Sequence, residues 1–372
     1  MLRKNLLRPL PIKAKRVVVK VGSQLLVNNG ELNTPFIRSL VKQLHELRKL
    51  DIQCALVSSG AIGCGRYALS PSKVSLTVPE KQAAAAIGQS RLMHAYDKLF
   101  SRHQIIPAQI LLTREDLQDR QRYLNANHTL DCLLQNNILP IINENDTVSV
   151  DEIKFGDNDI LASLISGLIH ADVLVILSST NGLMDPDHQR ASQVNLDDPN
   201  IWSWVRPDKT HLGTGGMRSK LIAAQTLSQL GKYTIVADGN TPNVLLKIIK
   251  GHDVGTLFLP DPKSIGSKKH WLAVISKPHG EISIDAGAKQ ALLEQGKSLL
   301  ASGITHVKST FDKGDVVLIT HNDKAVAKGV INYSAPEVEQ ILGKKTMDIE
   351  EILGQKTHDE VIHRNNLVLL LE

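Results

Sequence analysis

The chain has 372 residues, of which 42% are apolar and 22% charged, a composition that excludes disordered, collagen-like and disulfide-scaffold classes. It is long enough for two domains with separate buried cores. No run approaches the roughly 18 apolar residues a membrane-spanning helix requires, and Cys54, Cys64 and Cys132 show no metal-ligand spacing, so a reducing cytoplasm is the expected location.

The net charge of +5 is unevenly distributed. Residues 1–16 carry Arg3, Lys4, Arg8, Lys13, Lys15 and Arg16 with no acid, and the rest of the chain is close to neutral. The leader, residues 1–15, reads as a solvated, disordered tail; with two prolines and no apolar segment it does not resemble a secretory signal. From Arg16 to Pro260, short β-branched runs alternate with longer helical patterns. Strands are predicted at 17–19, 55–57, 107–112, 138–142, 173–177, 234–236 and 256–259. Their apolar character is nearly continuous, as in a parallel sheet covered on both faces. Thr34 and Pro35 are expected to open a helix whose stripe runs Ile37, Leu40, Val41, Leu44, Leu47, with Thr34 as its cap. The fold expected for residues 16–260 is a doubly wound, mainly parallel α/β domain.

In such a sheet ligands bind beyond the carboxyl ends of the strands, so the residues following each apolar run matter most. The first strand places Lys20 before Gly22-Ser23. The second runs into a glycine-rich loop, Ser58-Ser59-Gly60-Ala61-Ile62-Gly63-Cys64-Gly65. The fourth ends in Asn143-Glu144-Asn145-Asp146, and Gly156-Asp157-Asn158-Asp159 then opens a helix over 160–169, capped by Asp157 or Asn158. These polar residues either bind an ammonium group, a lysine or a hard cation, or serve as ordinary turn and cap residues. Further along, Gly213-Thr214-Gly215-Gly216-Met217-Arg218-Ser219-Lys220 feeds a helix start, which combines backbone N–H groups, the helix dipole and a lysine into an anion site; its spacing is not that of a P-loop. Two lysines with carboxylates between them suit phosphoryl transfer between anions, where catalysis is mostly positioning and charge stabilisation.

After Pro260 the texture changes. Residues 261–277 read as a linker and the start of a second domain, and 278–372 as a small, mostly β module with strands at 282–285, 316–319, 325–327 and 361–371 and brief helices at 288–295 and 336–342.

The stretches Val18 to Ser23, Val57 to Ala61, Ile142 to Asp146, Lys154 to Asp159 and Gly213 to Lys220 together resemble the amino acid kinase family, and within it the glutamate 5-kinases. The segments Asp285-Ala286-Gly287-Ala288, Gly314-Asp315-Val316-Val317 and Asn332-Tyr333-Ser334 are similar to a PUA domain. The resemblance implies ATP-dependent phosphorylation of the γ-carboxylate of L-glutamate, the first step of proline biosynthesis. It implies Lys20, Lys220 and Asp157 as catalytic, the lysines stabilising the phosphoryl group and Asp157 orienting them. Ser59, Gly60, Asp146, Asn158 and Asp159 would bind glutamate. Lys20, Ser178, Ser179, Thr214, Gly215, Gly216, Met217, Arg218, Ser219 and Lys220 would bind ATP. Magnesium is expected to be held by phosphate oxygens and water. Also implied are a homo-oligomer, inhibition by L-proline and a glutamyl phosphate reductase partner. Two departures stand out: the family usually has Thr-Asp where this chain has Ser178-Ser179-Thr180-Asn181, and a smaller residue where it has Arg218. Other members of the family act on N-acetylglutamate, carbamate or nucleoside monophosphates. An RNA-binding role for the PUA-like module is disfavoured by its charge, 10 Lys/Arg against 14 Asp/Glu over 278–372.

Overall fold

Most of the near-continuous apolar runs become strands buried on both faces, the run at 107–112 staying largely half-buried, and the computed structural model gathers them into one sheet. Residues 14–28, 30–69, 75–149, 158–205, 216–262, 269 and 271–370 are described. They pack as two units, one drawn from 1–116 and 124–264, the other from 117–123 and 265–372. The expected disordered leader, up to residue 13, and linker residues 263–268 and 270 lie outside the described residues.

In the first unit β1 (Arg16–Val21), β2 (Gln53–Ser58), β3 (Pro107–Leu112), β4 (Leu139–Glu144), β5 (Val173–Ser178), β6 (Gln193–Val194), β7 (Tyr233–Asp238) and β8 (Thr256–Phe258) form an eight-stranded sheet in the order β3-β4-β2-β1-β5-β7-β8-β6. Neighbours run parallel except for the antiparallel pair β7 and β8. All seven predicted strands fall within it; the two-residue β6 is additional. β1 lies centrally. The chain builds β2, β3 and β4 on one side of β1 and then crosses to β5 on the other, so the β1–β5 junction is the topological switch point where open α/β sheets bind ligands. The register brings the carboxyl ends into line, with Val21 opposite both Ser58 and Leu177, and Ser178 opposite Asp238.

Helix α1 (Thr34–Lys49) buries the predicted stripe, but its cap is Asn33, not Thr34: the Asn33 side-chain oxygen accepts the Phe36 amide at 3.3 Å, leaving Thr34 and Pro35 as the first helical residues. The second correction concerns the glycine-rich tract after β2. It is a loop only through Gly60 and becomes helix α2 (Ala61–Leu69), packed on α3 (Val78–Phe100). The reason is close approach: a Cβ on Gly65 would stand 1.8 Å from the Ala84 carbonyl oxygen, and one on Gly88 1.8 Å from that of Ala61. The glycines let the two helices meet backbone to backbone. Helix α4 (Arg120–Gln135) precedes β4, α5 (Asn158–Leu168) precedes β5, and α6 (Met217–Gln229) precedes β7.

The second unit holds a five-stranded sheet of β9 (Gly280–Ile284), β10 (Ile304–Val307), β11 (Val316–His321), β12 (Lys324–Val330) and β13 (Leu367–Leu369), in the order β10-β9-β11-β12-β13. Its own core includes Ile282, Ile284, Val317, Ile319, Val338 and Ile341. β10 was not predicted, because its outward residues Thr305 and His306 break the apolar run. The long apolar stretch at the C-terminus yields only a short strand after a 3₁₀ turn at Arg364–Asn366. Leu117–Tyr123 belongs to this unit despite its place in the sequence: the Trp271 indole donates to the Leu117 carbonyl at 3.0 Å, and the Tyr123 and Trp271 rings lie 5.4 Å apart.

Candidate active site

Lys20 is the fifth residue of β1, paired laterally with Val57 and Ile176, so its side chain leaves the centre of the sheet at the switch point. Lys220 lies one turn into α6, whose start is Gly216 without a side-chain cap. The two ammonium groups meet on one carboxylate. Lys20 Nζ is 2.5 Å from Asp159 Oδ1, and Lys220 Nζ is 3.0 Å from Asp159 Oδ2. Asp159 is 0% exposed, Lys20 3% and Lys220 5%. The Ser219 hydroxyl also sits 2.9 Å from Asp159 Oδ2 and 2.9 Å from the Gly216 carbonyl oxygen. Ions this buried persist only when paired, and this trio keeps a net charge of +1 beside a helix N-terminus.

Asp159, expected among the substrate-binding residues, is the carboxylate on which the two lysines converge. Asp157, the residue assigned to orient the lysines, lies outside the described residues, as do Thr214 and Gly215. Successive helical residues point about 100° apart, and this rotation separates the duties of Asn158 and Asp159 at the head of α5. Asn158 turns to the other side of β1. Its Nδ2 lies 3.2 Å from the Ser58 carbonyl oxygen, 2.9 Å from Ser59 Oγ and 2.9 Å from Asn143 Oδ1, tying together the ends of β2 and β4. Its Oδ1 is buried with no hydrogen-bond partner in the structure. Ser59, Gly60 and Asp146 are half-buried around the same strand ends. Gly60 has φ +100°, and a Cβ there would stand 3.3 Å from Val27, so the turn that presents Ser59 needs glycine.

On the β5 side, Ser178 Oγ and Thr180 Oγ1 are 2.8 Å apart, and the Ser179 hydroxyl donates to Gln24 Oε1 at 2.8 Å. Arg218 is exposed on the first turn of α6, with Met217 and Gly216 half-buried beside it. The described residues thus form two clusters around the lysine–Asp159 trio, one at β2, β4 and α5, the other at β5 and α6.

Sequence reasoning missed the support from α3. Gln82, Gln89 and Tyr96 recur every seven residues, two helical turns, on one face. Gln82 donates to the Ser149 carbonyl at 3.3 Å, Gln89 Oε1 accepts from Asn143 Nδ2 at 2.9 Å, and the Tyr96 hydroxyl pairs with Ser58 Oγ at 2.9 Å. Burial pushes the Tyr96 pKa up, keeping it a neutral partner. The periodicity of these polar residues within an alanine-rich helix was the available signal.

Residues 15–238 match the amino acid kinase family, and residues 280–353 match the PUA domain. A protein of Thermoanaerobacter sp. (strain X514) named glutamate 5-kinase is 46% identical over 363 residues, covering 95% of this chain and 98% of its own. One of the same name from Geobacter metallireducens is 47% identical over 368 residues, with coverage of 96% and 98%. Among solved structures, Giardia carbamate kinase superposes with a TM-score of 0.49 at 18% identity, covering 67% of this chain and 99% of its own.

Proposed function

The chain belongs to the amino acid kinase family, and from that premise we propose that it phosphorylates the γ-carboxylate of L-glutamate with ATP, the entry to proline biosynthesis. The observation that carries the reading is the convergence of Lys20 and Lys220 on buried Asp159 between two polar clusters.

A carboxylate, with a reference pKa of about 4.3, is already ionised at neutral pH, so no general base is needed. A glutamate γ-oxygen attacks the γ-phosphorus, the bond from that phosphorus to the β,γ-bridging oxygen breaks, and ADP leaves with the electron pair. The barrier is largely the repulsion of two anions. Lys20 and Lys220 offset it, each held by one oxygen of Asp159 so that little reorganisation is needed as charge moves. Ser59, Gly60, Asp146 and Asn158 hold glutamate, and Ser178, Ser179 and the Gly216–Lys220 helix start hold the nucleotide. Thr214 and Gly215 belong to the same loop by sequence. Magnesium supplies charge neutralisation when it arrives with ATP. Both oxygens of Asp159 face ammonium groups, so the ion would be held chiefly by phosphate oxygens and water.

The same reading carries a homo-oligomer, feedback inhibition by L-proline and a reductase that consumes the labile acyl phosphate. It also places the enzyme in the cytoplasm; no described helix is long and apolar enough to cross a membrane. The test is ADP release with a panel of glutamate, N-acetylglutamate, carbamate and UMP, together with hydroxylamine trapping of the product. Glutamate-dependent ADP with a matching yield of hydroxamate is expected. Turnover of another acceptor in preference to glutamate overturns the assignment.

A further inference from the structure

We infer that Gln89 is a positioning residue for the acceptor, acting through Asn143 to fix which end of the Asn158 amide faces the substrate. The inference rests on the glutamate reading above and deepens it.

Backbone groups, whose donor and acceptor roles are unambiguous, identify the oxygen and nitrogen ends of these amides. The Glu144 N–H donates to Asn143 Oδ1 at 2.9 Å, so that atom is the oxygen. Asn143 Nδ2 must then find an acceptor, and it donates to Gln89 Oε1 at 2.9 Å. Asn143 Oδ1 also accepts from Asn158 Nδ2 at 2.9 Å, and the Ser58 carbonyl, 3.2 Å from the same nitrogen, demands a donor there too. Asn158 thereby presents Oδ1, an acceptor buried without a partner in the structure. An acceptor is what an ammonium group requires, and glutamate brings one on its α-carbon. Asn143 is 2% exposed and Gln89 8%, so water cannot readily replace Gln89 as the partner of the Asn143 amide. Gln89 Nε2 is likewise buried without a partner. Among the described residues, the side chain of Gln89 makes its hydrogen bond through the acceptor oxygen, and that is the atom the relay needs.

Gln89→Met keeps the side-chain length and removes the acceptor; Gln89→Glu keeps an acceptor at the same place. With full-length protein, Gln89→Met should raise the KM for glutamate about tenfold with the KM for ATP within about twofold, while Gln89→Glu should recover to within about threefold of the parent. Glutarate, which lacks the amino group, supplies the decisive arm: its kcat/KM should be nearly the same in Gln89→Met and the parent. If Gln89→Met weakens glutarate as much as glutamate, or moves both KM values together, Gln89 is merely structural and the inference fails. Should Gln89→Met not fold, the glutamate-to-glutarate kcat/KM ratio of Gln89→Glu decides: a parent-like ratio supports the relay, and a collapsed ratio refutes it. A parent protein that makes no ADP with glutamate refutes the function instead, which keeps the two failures distinct.

Discussion

Asp159 is fully buried with a lysine on each oxygen. Asp159→Asn removes the carboxylate that faces both ammonium groups. A loss of about 3–5 kcal/mol in urea unfolding is expected, together with a fall in kcat, because breaking a buried ion cluster strands its remaining charges. Unfolding free energy unchanged from the parent would mean the lysines find other partners. Lys220→Ala should lower kcat by about 10² to 10³ in a folded protein, the usual cost of losing a donor aimed at developing charge; an unchanged kcat would remove Lys220 from the mechanism. Asn158→Ala and Asp146→Ala act on the other cluster and should raise the KM for glutamate while leaving that for ATP in place. If the ATP value moves instead, the two halves of the site are assigned backwards.

The helix pair α2 and α3 translates packing into site geometry. Ala61, which opens α2, follows directly on Ser59 and Gly60, and its carbonyl is the atom that Gly88 of α3 approaches. A methyl group at position 88 would meet the α2 backbone at Ala61 and Gly65, which cannot swing aside as a side chain does. Gly88→Ala is therefore expected to destabilise by about 1–3 kcal/mol through overpacking and, by displacing the head of α2, to raise the KM for glutamate. Thermal unfolding and steady-state kinetics read the two effects separately; a variant as stable as the parent would show that the helices part without cost. The sequence announced the glycines but not their use, because a glycine that permits a turn and one that permits close contact look alike until the neighbouring helix is known. Only Gly60, with its positive φ, is a turn glycine here.

For the whole molecule, every residue proposed to touch glutamate or ATP belongs to the first unit. A chain ending near Pro260 is expected to retain glutamate kinase activity, with altered inhibition by proline, as assayed with and without proline. Removing the second unit also removes Trp271, the hydrogen-bond partner of the Leu117 carbonyl, so the 117–123 segment should exchange its amide hydrogens faster in the truncated protein. A soluble, folded truncation with no activity would show that the second unit completes the site.

The sequence by itself determined the sheet, the switch-point lysine and the glycine-led helix carrying Lys220, because continuous apolar runs, caps and helix starts are local in the chain and use near-neighbour physics. It also located the polar segment 143–159. What only the tertiary structure decided is which member of that segment meets which partner. Asn158 and Asp159 are adjacent in sequence, yet Asn158 ties together the ends of β2 and β4 while Asp159 meets the two lysines, since the rotation of α5 and the positions of β1 and α6 determine where each side chain arrives. Gln89 stands 54 residues from Asn143, and Trp271 stands 154 from Leu117. Contacts at such separations depend on how helices pack against the sheet; the seven-residue spacing on α3 marks a polar face but not its partners.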